Sequence, residues 1–274
     1  MKKVKHLSWL VLVLALFLTG CGTDSASSEE TGSEKKKTAS PEEILEKTNK
    51  ASKDLKSYSM TTSQEMELTG PDGASQFTET NGKTIAETDP MAMHIDMTTA
   101  DQAVEMYVKD NIMYMKEPVS GSWIKLDIGT EMGSQYLNEQ LSKPIDEQIQ
   151  QVKDLAESIK VTDNGDSYTM DIKIAADKMN EFLESQMGSS GMDMSAMGDI
   201  EYDKFTYAVN INKETYFPES MTLEMNMNIT VDGETGQLKM VSDNTFEDFN
   251  ETEPIEIPAE AKDAADLSDY PAAS

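Results

Sequence analysis

Met221-Thr222-Leu223-Glu224-Met225-Asn226-Met227-Asn228-Ile229-Thr230-Val231 alternates without a break, apolar at every odd position and polar at every even one. A period of two held this long marks a β-strand with one face buried and the other in water. The stretch therefore predicts a long antiparallel strand. A shorter copy of the pattern precedes it, Phe205-x-Tyr207-x-Val209-x-Ile211, and a third long strand is expected from Gln237 to Phe249.

The same period recurs upstream. Tyr58, Met60, Met66 and Leu68 share one parity and end at a turn, Gly70-Pro71-Asp72-Gly73. Met91, Met93, Ile95 and Met97 alternate with Ala92, His94, Asp96 and Thr98; Val104, Met106 and Val108 follow, then a turn at Lys109-Asp110-Asn111. Ile112 to Lys116 and Trp123 to Ile128 flank a loop at 117–121, and together these runs predict an antiparallel meander. Ile159 and Val161 face Tyr168, Met170, Ile172 and Ile174 across Asp163-Asn164-Gly165-Asp166, a hairpin signal.

Helical spacing breaks in at three places. Ser40-Pro41-Glu42-Glu43 reads as a capping box with proline at the first helical position, and Ile44, Leu45, Thr48, Ala51, Ser52 and Leu55 fall on one face of a helix over 41–56. Leu137, Leu141, Ile145, Ile149, Val152 and Leu155 predict a helical interlude over 131–157, split at Pro144. Met179, Phe182 and Leu183 predict a short helix over 177–186, followed by a Gly/Ser/Met loop over 188–199. The fold class is α+β. One domain is expected over 40–262, with an acidic tail over 263–274.

The N-terminus predicts an address. Met1-Lys2-Lys3-Val4-Lys5-His6 followed by the apolar run Leu7 to Leu18 has the form of a secretory signal over residues 1–20. It ends in Leu18-Thr19-Gly20-Cys21, similar to a bacterial lipobox, and Cys21 is the single cysteine in 274 residues. Acylation of its sulfur would hold the protein on the extracytoplasmic face of the cell membrane through hydrocarbon burial, about 0.8 kcal/mol per CH2. The competing reading is an uncleaved anchor with an incidental cysteine. Residues 21–39 hold no large apolar side chain after the cysteine and are expected to be a disordered tether.

Charge removes whole classes of function. Fifty-one acids face 23 basic residues, all lysine, for a net charge of −28. Such a chain has no clustered cations for nucleic acid and no basic patch for an anionic bilayer. With one cysteine and two histidines, no Cys/His metal centre or disulfide framework is expected, and no cofactor.

The order of these elements resembles the LolA/LppX-like bacterial lipoproteins. Pro41-Glu42-Glu43-Ile44-Leu45 through Leu55-Lys56-Ser57-Tyr58 is similar to the first helix entering the first strand, and Trp123-Ile124-Lys125-Leu126 to the strand before the helical insertion. Lys213-Glu214-Thr215-Tyr216-Phe217-Pro218-Glu219-Ser220-Met221 resembles the turn between two late strands, and Phe246-x-x-Phe249-Asn250 through Pro254-Ile255-Glu256-Ile257-Pro258 the last strand and its stop. Among such proteins it is most similar to a group of Gram-positive surface lipoproteins. The resemblance implies a curved antiparallel half-barrel of about ten or eleven strands, with helices on its concave side and a lipid or lipoprotein held in the cup.

The residues add a separate pointer. Nineteen methionines lie beyond Cys21, many where a strand would ordinarily carry Val or Ile. Methionine adapts to irregular apolar shapes and recurs on permissive binding surfaces. Met60, Met66, Met93, Met97, Met106, Trp123, Met225 and Met227 are the expected lining of a ligand cavity. A core simply filled with methionine is the competing reading, and it would leave a structural or protein-interaction module. A third reading makes Met187, Met192, Met194 and Met197, with His94 beside Met93, a copper(I) site.

Catalysis is not expected. Ser122-Trp123-Ile124-Lys125 and Ser242-Asp243-Asn244 match two motifs of penicillin-recognising serine enzymes, but no K-T-G follows. Ser122 also enters a strand, where residues three apart point to opposite faces. His94, opposite in parity to Met93 and Met97, is expected in solvent.

Overall fold

The computed structural model describes residues 39–100, 102–130, 150, 153–181 and 199–267. The leader, Cys21, the tether up to residue 38, most of the 131–157 helical pattern, Phe182, Leu183, the 187–197 methionines and residues 268–274 lie outside the described residues. Among the described residues no helix is long and apolar enough to cross a membrane.

Helix α1 (Pro41–Ser52) starts as its sequence directs: the Glu43 N–H donates to Ser40 Oγ at 3.2 Å. Pro41 supplies a pre-set φ, and Glu42 and Glu43 complement the positive end of the helix dipole. The helix stops at Ser52, four residues short of the expected end. Leu55 beyond it is nonetheless buried with Ile44, Leu45 and Thr48.

The rest is one curved, open sheet of twelve strands. The first meander comprises β1 (Ser57–Thr69), β2 (Ser75–Thr88), β3 (Met91–Thr99), β4 (Gln102–Lys109), β5 (Ile112–Lys116) and β6 (Trp123–Asp127). The second comprises β7 (Ala156–Asp163), β8 (Ser167–Ile174), β9 (Asp199–Asn212), β10 (Pro218–Val231) and β11 (Glu234–Glu247). The 131–157 helical pattern therefore ends before Ala156, where β7 begins. A 3-10 turn at Ala176–Lys178 occupies the start of the expected 177–186 helix. After β11 come α2 (Ala259–Lys262) and β12 (Ala265–Asp266), so the ordered chain runs past residue 262.

Spatial order is β12-β6-β5-β4-β3-β2-β1-β11-β10-β9-β8-β7. Every pairing is antiparallel except β12 on β6. Neighbouring strands within each meander follow one another in sequence, with the long connection 175–198 between β8 and β9, and the β1–β11 ladder joins the two meanders. The turns Asp110-Asn111 (φ 53° and 62°) and Asp232-Gly233 (φ 53° and 85°) put two consecutive residues in the left-handed region, the backbone that two-residue hairpins require.

Side chains from both meanders bury on one face of the sheet. Around α1 lie Met170, Ile172, Tyr207, Val209, Ile211, Met221, Leu223, Met225, Met227 and Phe246. Across β2–β6 lie Ala86, Met93, Ile95, Val108, Met113 and Leu126. A smaller core sits on the opposite face. There Ile255, Ala261 and Ala264 of the C-terminal segment cover Ala92, Tyr107 and Trp123. Lys109 Nζ donating to the Ile255 carbonyl (2.6 Å) and the Ile255 N–H donating to Glu87 Oε1 (2.8 Å) pin that segment down.

Two stability measurements follow. Ile211→Ala removes a fully buried side chain and is expected to cost about 2–5 kcal/mol in urea unfolding. Val119→Ala, at 92% exposed, should leave the midpoint unchanged, and equal shifts in the two variants would contradict this core. Ser40→Ala should cost about 0.5–2 kcal/mol by the same assay, and no loss would mean that the cap contributes nothing.

Candidate functional site

Cross-strand register decides what the large face presents, because directly paired residues point to the same side. The rung Met225–Met240–Met66–Thr78 crosses β10, β11, β1 and β2. Two residues along, Leu223–Ser242–Gln64–Thr80–Thr99 extends to β3. The next, Met221–Asn244–Thr62–Gly82–Met97–Val104, reaches β4. Phe246–Met60–Thr84–Ile95–Met106–Met115–Ile124 reaches β6. Tyr58–Ala86–Met93–Val108–Met113–Leu126 completes the set.

Met60, Met66, Met93, Met97, Met106, Met225 and Met227 thus lie on one face, as their parity predicts. They are not equivalent. Met93, Met225 and Met227 are buried, whereas Met60, Met66, Met97 and Met106 are half-buried. Trp123 requires a correction. It pairs with Lys116, one residue out of phase with the Met115–Ile124 pair, and so points to the opposite face, where it packs on Tyr107 with ring centroids 5.8 Å apart. It does not join the methionines.

Three further residues of the same face escaped sequence reasoning: Met113, Met115 and Met240. Their signal was present, since each has the parity of an apolar neighbour in its strand. The polar residues of the middle rungs were also missed. Thr62 Oγ1 donates to Asn244 Oδ1 at 2.7 Å, Gln64 Nε2 to Met240 Sδ at 3.7 Å, and the Thr80 and Thr99 hydroxyls meet at 3.0 Å. These groups form a polar strip between the two apolar clusters.

Exposure is uneven along the face: on β10 Met225 and Met227 stay buried. Tyr58, Phe246 and Met93 mark the closed end, where burial pushes the Tyr58 hydroxyl above its ordinary pKa. Toward the turns at 70–74 and 232–233 the face opens, and Leu68 and Val231 are exposed. Gly82 sits midway. A Cβ there would lie 3.1 Å from the Asp96 carbonyl, so the absent side chain lets the β2 and β3 backbones approach closely.

His94 is on the other face, as parity predicts, but it is half-buried and stacks on Tyr107 instead of standing in solvent. Met93 and His94, adjacent in β3, therefore point apart. Ser122 leads into β6, and Ser242 sits in β11 six strands away along the sheet.

Two solved structures are similar to this chain at low identity. One is a LolA superfamily protein from Nitrosomonas europaea, 10% identical over 79% of this chain and 94% of that one, with a TM-score of 0.25. The other, from Vibrio parahaemolyticus, is described as an outer membrane lipoprotein-sorting protein domain, 13% identical over 74% and 91%, with a TM-score of 0.27. No curated protein matches the sequence. A family model described as a family of unknown function, DUF6612, matches residues 40–266, from the cap of α1 to the end of β12, and the chain belongs to that family.

Proposed function

We propose that this chain is a non-enzymatic, extracytoplasmic lipoprotein, held to the membrane through an acylated Cys21, whose methionine-bearing sheet face takes up a lipid or another apolar ligand. The observation that carries the reading is the half-buried group Met60, Met66, Met97, Met106 and Met240, aligned by register and interleaved with Thr62, Gln64, Ser242 and Asn244. A core that only had to be filled would bury those side chains as completely as Met225 and Met227. Flexible thioethers accommodate an acyl chain of no fixed shape, and the polar strip supplies hydrogen bonds for a headgroup. The more exposed end, near Leu68 and Val231, is the direction of entry.

The anchor reading rests on the leader: Lys2, Lys3 and Lys5, the apolar run to Leu18, and Leu18-Thr19-Gly20-Cys21. Residues 22–39 would then be the tether and Ser40 onward the binding domain.

Lipid extracted with the gently solubilised chain and identified by mass spectrometry tests the ligand. Near-stoichiometric lipid is expected, falling several-fold in Met66→Asp/Met240→Asp, whose half-buried positions tolerate charge better than the core does. A lipid-free chain, or unchanged lipid in the double variant, would return the protein to the class of interaction modules. Separately, Cys21→Ser should move the protein from the membrane to the soluble fraction, and retention in the bilayer would refute the anchor.

A further inference from the structure

The opposite face carries a second constellation. His94 and Asp96, two apart in β3, point to the same side, and register sets Asp96 against Glu105 and His94 against Tyr107. The His94 ring is held flat on Tyr107, with centroids 4.1 Å apart and planes at 7°. Its Nε2 is shielded from solvent and makes no hydrogen bond, although Asp96 Oδ2 lies 3.4 Å away and Glu105 Oε1 3.9 Å away.

The 3.4 Å His94–Asp96 separation suits a bound ion. Around an ion with bonds of about 2.0–2.2 Å to nitrogen and oxygen, tetrahedral ligand atoms stand about 3.3–3.6 Å apart. One donor atom from each of His94, Asp96 and Glu105 falls within 4.8 Å of the others. The supporting groups are also in place. The Tyr107 hydroxyl donates to Glu105 Oε1 at 3.2 Å, and Lys116 Nζ donates to Oε2 at 3.1 Å, which orients the carboxylate. Asp96 is largely exposed and borders a 420 Å³ cleft that Glu105, Lys116 and Glu117 also line, leaving room for water or an exogenous ligand on the ion.

We propose that His94, Asp96 and Glu105 bind one divalent transition ion, zinc by its donor set, on the face opposite the methionines. An imidazole with two carboxylates discriminates against calcium and magnesium, which prefer oxygen alone. The site shares no side chain with the proposed ligand seat, and neither reading depends on the other.

The test uses the full chain in mild detergent, stripped with a chelator and titrated with ZnCl2 in excess CaCl2, which occupies the many surface carboxylates. One saturable equivalent is expected, with a shift of the His94 Nε2 signal in the ¹⁵N spectrum. Asp96→Asn and Glu105→Gln should each weaken binding by about tenfold or more. Both are conservative changes at accessible side chains, and an unchanged circular dichroism spectrum confirms that the variants fold. No saturable equivalent, an unmoved His94 signal, or full affinity in both variants would overturn the assignment.

Discussion

The β1–β11 ladder is the interaction on which the rest depends. Eleven consecutive pairs, from Ser59–Glu247 to Thr69–Gln237, join two meanders whose strands are otherwise local neighbours in sequence. Because side chains alternate, this one register decides which face of every long strand is apolar. A slip by one residue would turn Glu65 and Glu67 inward and expose Met60 and Met66. Burying unpaired carboxylates costs far more than the ladder could return, so the hydrophobic pattern itself enforces the pairing. Lys239 Nζ, 3.3 Å from Glu67 Oε2 on the solvent side, supports the same register.

With the register fixed, the two faces take different characters. One gathers methionine from β1, β3, β4, β5, β10 and β11, buried at Met93, Met225 and Met227 and half-buried at Met60, Met66, Met97, Met106 and Met240. Its middle rungs carry Thr, Gln, Ser and Asn, which divide the apolar surface in two and give it an amphiphilic centre. The other face is polar on β1, β10 and β11, where Thr61, Ser63, Glu65, Thr222 and Glu224 meet solvent. On β3–β6 it is instead partly covered by the returning C-terminal segment, which shelters Ala92, Tyr107 and Trp123.

What the sequence disclosed follows from how far apart the determining residues lie. Met221–Val231 was plain because alternation is a local property, and the hairpin at 163–166 was plain because its turn residues are contiguous. Strand β2 was not singled out: Thr78, Thr80, Gly82 and Thr84 face the apolar side, so no hydrophobic period exists to read. Trp123 was misplaced although the alternation of its strand was readable: it shares its side with Lys125 and Asp127, while Ile124 and Leu126 share the apolar one. His94 was expected in solvent because parity says nothing about the Tyr107 ring that stacks on it from the neighbouring strand. The seven methionines were grouped correctly by parity alone, whereas their unequal burial depended on the curvature and the far end of the sheet.

The central claim is that the half-buried methionines form a seat for an acyl chain. Methyl-¹³C methionine spectra recorded with a spin-labelled fatty acid address it most directly. The account predicts broadening of Met60, Met66, Met97, Met106 and Met240 signals, with the buried Met225 and Met227 signals affected less. Uniformly sharp methionine signals at saturating probe would contradict it.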